Sequence, residues 1–253
     1  MPVDYDHRSN LHTLTGPKIA LPAIIGESKP QSVLDVGCGF GTWLKAFREF
    51  GIIDYFGIDG VNIAKSDFLV EFEKFKVLDF SKPWSLKRRF DLAICLEVAE
   101  HLPPTSSPTL VAALTAHSDR VIFSAACPDQ PGQNHINGHW PEYWQSLFNE
   151  CGFACFDDIR PKIWREKQIE VWYRQNIFSA HRSDQAGKEQ RIAGMIHSEF
   201  LPIFLAAAKD NGERIGAQNA SSSIKLGNLP FAEYPKMTAT ALVKRAKRKT
   251  GLT

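Results

Sequence analysis

The segment Val33-Leu-Asp-Val-Gly-Cys-Gly-Phe-Gly-Thr42 joins a short apolar run to three alternating glycines. The apolar run predicts a strand, and the glycines predict a tight turn at which a ligand can press against the backbone. This Gly-x-Gly-x-Gly spacing differs from the Gly-x-Gly-x-x-Gly pattern of dinucleotide binders. Together with an acidic residue inside the strand, the spacing disfavours a nicotinamide-dependent dehydrogenase. The candidate ligand-binding residues are Asp35, Gly37, Cys38, Gly39 and Gly41.

Strand and helix patterns alternate along the chain on both sides of this turn. The predicted strands span residues 33–36, 55–59, 75–79, 90–98, 120–126, 152–159 and 169–178. The predicted helices span residues 18–26, 42–50, 108–117 and 141–151. Repeated strand–helix units predict an α/β fold with a doubly wound, mostly parallel seven-stranded sheet and helices on both faces.

The chain divides into a helical lead-in (1–30), a central ligand-binding domain (31–180) and a C-terminal helical extension with a basic tail (181–253). Within the extension, residues 192–208 predict a helix and residues 210–227 predict a loop. Residues 236–253 contain six basic residues and no acidic one. This tail predicts a solvated surface segment, and a peripheral contact with a membrane or polyanion is the alternative.

Two more acidic residues end the next two predicted strands. Asp59 closes the second strand and is followed by Gly60, and a carboxylate at that position can accept hydrogen bonds from both hydroxyls of a ribose. Asp79 ends the third strand, where it can accept from an adenine amino group while Phe80 packs on the ring. The carboxyl ends of parallel strands share one edge of a sheet, which is where open α/β sheets bind ligands.

In order and spacing, these segments resemble the motifs of class I S-adenosylmethionine (SAM) dependent methyltransferases. The resemblance implies a Rossmann-like methyltransferase fold and SAM as the cofactor. SAM carries an ammonium group and a sulfonium but no pyrophosphate, which agrees with Asp35 beside the glycine turn. The alternatives are that the glycines merely form turns and the aspartates cap helices, or that the chain is a non-catalytic SAM-binding regulatory module. The complete set of glycines with Asp35, Asp59 and Glu97 argues against both.

The second informative segment is Phe90-Asp-Leu-Ala-Ile-Cys-Leu-Glu-Val-Ala-Glu-His-Leu-Pro103. It is similar to the fourth motif of these methyltransferases, in a Glu-x-x-Glu-His form, with Glu97 at the end of a strand beside the cofactor. Glu97, Glu100 and His101 lie within five residues. Two carboxylates and one imidazole suit a divalent cation such as Mg²⁺, Mn²⁺ or Fe²⁺.

Similar Glu-x-x-Glu-His turns occur in ubiquinone-pathway catechol-type methyltransferases and in terminal 2′-O-methyltransferases of small RNAs. In the RNA family a further histidine after the fifth strand completes a metal site. The resemblance implies His135 for that position, with His139 as the alternative. The turn also occurs in methyltransferases with no known metal. In that case Glu97 helps to seat SAM, and His135 or His101 is the candidate general base.

Aromatic and polar residues are dense in residues 135–144, 160–164 and 171–176. Flat aromatic groups with amides and arginines suit a hydroxyl-rich ring. Trp140 and Trp144 are candidate substrate contacts, whereas Trp172 and Tyr173 alternate across a predicted strand and are expected to pack in the core. Residues 16–179 resemble small bacterial methyltransferases associated with glycan modification.

The predicted function is therefore O-methylation of a sugar or polyol hydroxyl, with a small molecule or glycan as substrate. A quinone-pathway phenol or a natural product is the alternative. The net charge of +2 and the lack of an aromatic–basic pattern before the tail predict no nucleic-acid partner. We find no signal-peptide pattern, no apolar run near about 20 residues and no regular cysteine spacing, so a cytoplasmic protein is expected.

Overall fold

The structure is a computed structural model that describes residues 5–10 and 13–206. Seven strands form one sheet in the order β3-β2-β1-β4-β5-β7-β6. The strands are β1 (Ser32–Val36), β2 (Asp54–Asp59), β3 (Phe75–Val77), β4 (Leu92–Leu96), β5 (Arg120–Ser124), β6 (Phe153–Phe156) and β7 (Phe178–Arg182). Neighbouring strands from β1 to β5 are parallel, and β7 runs antiparallel to both β5 and β6. The predicted mostly parallel α/β sheet is confirmed.

Six helices accompany the sheet: α1 (Thr15–Ile25), α2 (Thr42–Glu49), α3 (Ser107–His117), α4 (Pro141–Glu150), α5 (Arg160–Ile163) and α6 (Val171–Asn176). A further helix spans residues 201–206. None of the helices in the described ranges combines the length and the apolar composition that crossing a bilayer requires.

The central strands are buried on both faces, and alternate residues enter two separate cores. Val33 packs with α1 and α2 on one face, whereas Leu34 packs with α3 and α4 on the other. All five residues of β1 and of β4 are buried. Burial on both faces explains why the parallel strands appear in the sequence as almost continuous apolar runs.

The lead-in helix α1 is tied to the sheet by one partly buried arginine. The Arg120 guanidinium donates to the carbonyls of Ile24, Ile25 and Ser28, at 2.6, 2.7 and 2.9 Å. These carbonyls lie at the C-terminal end of α1 and just after it, where backbone acceptors lack helical partners and favour a cation.

Two predictions about secondary structure are wrong. Residues 169–178 were predicted as a strand, but residues 171–176 form helix α6 and the last strand begins at Phe178. Residues 192–208 were predicted as a helix, but residues 191–197 have no regular structure and the helix covers only 201–206 among the described residues. The predicted loop at 210–227 and the basic tail at 236–253 lie outside the described residues.

Candidate active site

A cavity lies at the carboxyl edge of the sheet, between the ends of β1, β2 and β4 and the loop that follows β5. Several predicted site residues line it, namely Asp35, Gly37, Cys38, Gly39, Asp59, Gly60, Phe80, Glu97, Glu100, His101 and His135. Gly41 and Asp79 are outside that lining set. The topology therefore brings most of the predicted site together, as expected for an open α/β sheet.

The glycine turn needs glycine for two physical reasons. Gly37 has φ 81°, and a β-carbon there would lie 2.2 Å from a methyl carbon of Val98. Gly41 has φ 78° and precedes α2, but a β-carbon there would meet Phe68 rather than the cavity. Gly37 therefore allows close packing beside the cavity, and Gly41 serves the start of the helix.

Two aspartates lie around this turn, and they differ in their hydrogen bonding. Asp35 is 2 % exposed, and its Oδ2 has no hydrogen-bond partner among the described residues. Burial, with a smaller contribution from the nearby Asp59 carboxylate, raises the pKa of Asp35 well above its ordinary value. Asp59 accepts from the backbone N–H groups of Gly39 and Val61, each at 2.8 Å. Asp35 is thus a buried acceptor in need of a donor, and Asp59 holds the glycine turn against the end of β2.

Asp79 and Phe80 are adjacent in sequence, but only Phe80 lines the cavity. The Asp79 carboxylate accepts from the N–H and hydroxyl of Ser81 and pairs with Lys82 at 2.8 Å. The Lys82 ammonium, followed by Ser81, lowers the pKa of Asp79 to about 2. Phe80 is 3 % exposed and lines the cavity. The structure therefore favours a turn-stabilising role for Asp79 over contact with an adenine.

Glu97 follows β4 in a conformation that non-glycine residues rarely adopt, with φ 57°. The side-chain amide of Asn176 donates to its two oxygens at 3.1 and 3.3 Å, and that of Gln130 donates to one of them at 3.2 Å. Burial raises the pKa of Glu97, and the hydrogen bond from Asn176 opposes that rise. A strained residue with a fixed carboxylate beside a cavity is typical of a functional site.

Glu100 is a buried carboxylate with unmet hydrogen-bonding capacity. It is 0 % exposed, and neither oxygen has a partner of ordinary geometry among the described residues. Burial first, and then repulsion from Glu97, raise the pKa of Glu100 well above its ordinary value. Without a counter-charge, the two carboxylates favour holding a proton between them.

His101 and His135 both line the cavity, and both bind a backbone carbonyl through the same ring nitrogen. His101 donates Nδ1–H to the carbonyl of Gln133, and His135 donates Nδ1–H to the carbonyl of Gln130, both at 2.8 Å. The Nε2 atoms are therefore the ring nitrogens that remain as acceptors. Burial, and then the neighbouring His135, lower the pKa of His101 to about 4, and burial lowers the pKa of His135.

Glu100, His101 and His135 each offer a ligand atom, and these atoms lie within 4.8 Å of one another. Glu97, which was predicted as a fourth ligand, lies outside this group. His139, the alternative ligand, stacks on Tyr143 with ring centroids 3.8 Å apart and is absent from the cavity lining. The described residues thus assemble three of the four predicted ligands.

A family model described as "Methyltransferase domain" matches residues 9–182. The chain belongs to this methyltransferase family. With its seven-stranded, Rossmann-like sheet it is a class I SAM-dependent methyltransferase. No curated protein matches the chain in sequence.

Several solved methyltransferase structures are similar to this methyltransferase in fold. Magnesium protoporphyrin IX methyltransferase from Synechocystis PCC 6803 is 21 % identical, with 65 % of this chain and 80 % of that chain covered and a TM-score of 0.47. An amino pentose methyltransferase from Micromonospora echinaspora is 13 % identical, with 70 % and 94 % covered and a TM-score of 0.48. The 1,6-didemethyltoxoflavin-N1-methyltransferase from Burkholderia thailandensis is 22 % identical, with 68 % and 78 % covered and a TM-score of 0.47.

The aromatic residues of the methyltransferase differ in part from the sequence-based expectation. Trp140 and Trp144 are 7 % and 1 % exposed and belong to apolar clusters. Trp172 and Tyr173, expected in the core, lie on α6, where they pack against apolar clusters and also line the cavity. Arg160, in the second of the three polar–aromatic segments, is 1 % exposed and pairs with Asp157.

Sequence reasoning also missed residues that complete the site. Tyr5, His7 and Asn10 come from the N-terminal segment and line the cavity. Gln130 and Asn176 come from two distant parts of the chain and hold Glu97. Neither set carries a local motif, so only the three-dimensional arrangement identifies them.

Proposed function

We propose that this methyltransferase transfers the methyl group of SAM to a hydroxyl of a sugar or another polyol, and that Glu100, His101 and His135 bind a divalent cation that grips the acceptor. The observation that carries the proposal is the convergence of these three side chains to within 4.8 Å beside the cavity. The orientation of both imidazoles by backbone carbonyls supports it, because metal-binding histidines commonly donate their second N–H in this way.

The residues around the glycine turn fit SAM. The unpartnered Oδ2 of Asp35 would accept a hydrogen bond from the ammonium group, which also stabilises the ionised carboxylate. Asp59 would accept from the ribose, and Phe80 would pack against the adenine. Gly37 and Gly39 line the cavity with their backbone, and Gly37 packs so closely on Val98 that a side chain would not fit there.

The cluster fits a divalent cation on three counts. The two buried oxygens of Glu100 lack hydrogen-bond partners of ordinary geometry among the described residues, and a cation would satisfy them. Carboxylate oxygen and imidazole nitrogen suit Mg²⁺, Mn²⁺ or Fe²⁺. Ligand atoms around one such ion lie about 3–4 Å apart, so movements of about 1 Å or less would close the site.

Bound at this site, a divalent cation supplies Lewis-acid polarisation of an acceptor oxygen, which a weakly acidic sugar hydroxyl needs. Glu100, His101 and His135 would hold the cation, and the loop of residues 130–133 sets the orientation of the two histidines. Glu97, fixed by Asn176 and Gln130, forms the wall next to this site. A histidine whose pKa is lowered to about 4 is a weak base, which favours the cation over His101 as general base.

An acceptor with two adjacent oxygens suits such a site better than an isolated alcohol, because both oxygens can bind one cation. Vicinal diols of sugars and polyols meet this requirement. A catechol meets it too, and the aromatic side chains of Trp43, Trp172 and Tyr173 along the cavity favour a phenolic or natural-product acceptor as the second candidate.

The test is methyl transfer from SAM to matched acceptors: a vicinal diol, its mono-deoxy analogue and a catechol. We expect turnover of the diol or catechol, loss of turnover in excess chelator and recovery on addition of Mn²⁺ or Mg²⁺. Glu100→Gln should lose both activity and Mn²⁺ binding measured by calorimetry. Glu142→Gln, an exposed glutamate on α4, is the matched control.

Full activity in excess chelator would reject the cation and leave His135 or His101 as a metal-free general base. SAM binding without turnover of any acceptor class would instead favour a non-catalytic module.

A further inference from the structure

We propose that the N-terminal segment Tyr5–Asn10 closes over the bound cofactor and that Gln133 is a positioning residue that couples this closure to His101. The closure depends only on cofactor binding, whereas the coupling to His101 rests on the proposed function. Residues of the segment line the cavity, and one glutamine contacts both the segment and the imidazole.

The segment reaches the cofactor side of the cavity through His7. The His7 Nε2 lies 3.2 Å from Oδ1 of Asp59, the carboxylate assigned to the ribose. A second contact on this side is the pair between Arg8 and Asp67, at 2.7 Å. The segment therefore spans the cavity edge where the nucleoside part of the cofactor would lie.

The same segment reaches the reaction side through Tyr5. The Tyr5 ring packs on His101 with centroids 4.6 Å apart and on His7 with centroids 4.9 Å apart. The amide of Asn10 donates to the Tyr5 hydroxyl. Tyr5 thus forms part of the wall beside the proposed cation site.

Gln133 holds this segment with its side chain. Its Nε2 donates to the carbonyl of Asp6 at 3.0 Å and to the Ser9 hydroxyl at 2.6 Å. Its Oε1 accepts from the N–H of Asp6 at 3.0 Å. The backbone carbonyl of the same residue accepts from His101 Nδ1–H at 2.8 Å. Gln133 therefore contacts both the segment and His101, so a movement of the segment can change the orientation of the His101 ring.

The segment is attached in a way that permits opening. None of the residues His7–Ser9, which form its single 3₁₀ turn, is buried. Its attachment is mainly a set of hydrogen bonds and an ion pair in which the Arg8 side chain is 73 % exposed. Segments held by solvent-exposed hydrogen bonds and few buried apolar contacts open at low free-energy cost. Closure over a bound cofactor would exclude water from the reaction site.

Limited trypsin digestion at Arg8, followed by mass spectrometry, tests the proposal with the complete chain. We expect S-adenosylhomocysteine to slow cleavage at Arg8 by about fivefold or more. Gln133→Ala should speed that cleavage about tenfold in the cofactor-free protein, the equivalent of one or two hydrogen bonds. Gln31→Ala, an exposed glutamine before β1, should leave cleavage unchanged. Ser9→Ala removes a single contact of Gln133 and should have an intermediate effect.

Steady-state kinetics test the coupling. Gln133→Ala should raise the KM for SAM and lower kcat. Ser9→Ala, which removes only the Ser9 contact of Gln133, should chiefly raise the KM for SAM. Cleavage at Arg8 that is insensitive to both cofactor and Gln133→Ala would overturn the proposal, as would faster cleavage on addition of S-adenosylhomocysteine. The digestion requires neither acceptor nor cation, so a failed acceptor screen or a failed cation test leaves its result unaffected.

Discussion

The imidazoles of His101 and His135 pack edge to face with ring centroids 5.0 Å apart, and both are anchored to one loop. Their Nδ1–H groups donate to the carbonyls of Gln133 and Gln130, three residues apart. A single short loop therefore sets the position of two proposed ligands that come from different strand ends. Disturbing that loop should affect both histidines without reaching the glycine turn.

Gly132→Ala is the smallest change that tests this arrangement. A β-carbon at residue 132 would lie 2.1 Å from Nε2 of His135, so the ring must move. We expect the rate of methyl transfer to fall about 10- to 100-fold, because a metal ligand that loses its orientation typically costs that much activity. Affinity for S-adenosylhomocysteine should stay within about twofold. Adding Gly132→Ala to His135→Ala should cost no further activity. An additive effect in that double variant would show that Gly132 acts elsewhere.

Asp59 and Asp79 form a matched pair for the cofactor assignment. Asp59→Asn removes the charge from an acceptor that binds Gly39, Val61 and the proposed ribose, so affinity for S-adenosylhomocysteine should fall by about 1.5–3 kcal/mol. Asp79→Asn should leave that affinity unchanged, because its carboxylate is used by Ser81 and Lys82. Titration calorimetry on both variants decides the matter, and weaker binding by Asp79→Asn alone would reverse the assignment.

The buried Glu100 predicts a pH-dependent stability in the cation-free protein. Its pKa in the folded protein is raised above the ordinary value of 4.5, so the folded state binds more protons than the unfolded state above that pH. The stabilisation is complete below pH 4.5 and is lost as pH rises towards the folded pKa. Melting temperatures should fall over this range, and less steeply in Glu100→Gln. Mn²⁺ at pH 8 should raise the melting temperature of the wild type and not that of the variant; equal responses would reject Glu100 as a ligand.

Asn176 is expected to keep Glu97 ionised. Its amide donates to both Glu97 oxygens, and this hydrogen bond lowers a pKa that burial raises. In Asn176→Ala the charged carboxylate is less favoured, so the acidic limb of the pH–rate profile should move to higher pH and the rate at neutral pH should fall. Asn149→Ala, at a partly buried asparagine on α4, is the control. An unchanged acidic limb would show that Glu97 ionisation does not govern the rate.

The parallel strands and the cofactor turn could be predicted because local pattern determines them. Continuous apolar runs such as 92–96 are buried on both faces, and the glycines at 37 and 41 have backbone angles that favour glycine. Helix α6 could not be predicted in this way. Ile169, Val171 and Tyr173 stand at every second position, and Trp172 between the last two adds to the apolar character, so the segment resembles a strand.

Tertiary hydrogen bonds override that local period in α6. Its polar residues Arg174 and Gln175 are 2 % and 1 % exposed. Arg174 donates to the carbonyl of Ile169 and pairs with Glu199, and Gln175 accepts from the N–H of His197. These partners lie outside α6 itself, so they cannot be predicted from the helix propensity or the periodicity of the segment. For the same reason the role of the N-terminal segment could not be predicted. His7 contacts Asp59, more than 50 residues away in sequence, and Asp6 contacts Gln133, 127 residues away.

The three carbonyl acceptors of Arg120 determine where this methyltransferase can be shortened. The central domain begins at residue 31 by sequence pattern, yet Leu21 and Ile24 of α1 are 1 % and 0 % exposed against the sheet. A version starting at residue 31 would expose the apolar surface that α1 covers and leave the Arg120 guanidinium without the carbonyls of Ile24, Ile25 and Ser28. We therefore expect the folding unit to start no later than Thr15, and expression libraries of trimmed variants should lose soluble protein abruptly between start sites at residues 13 and 31.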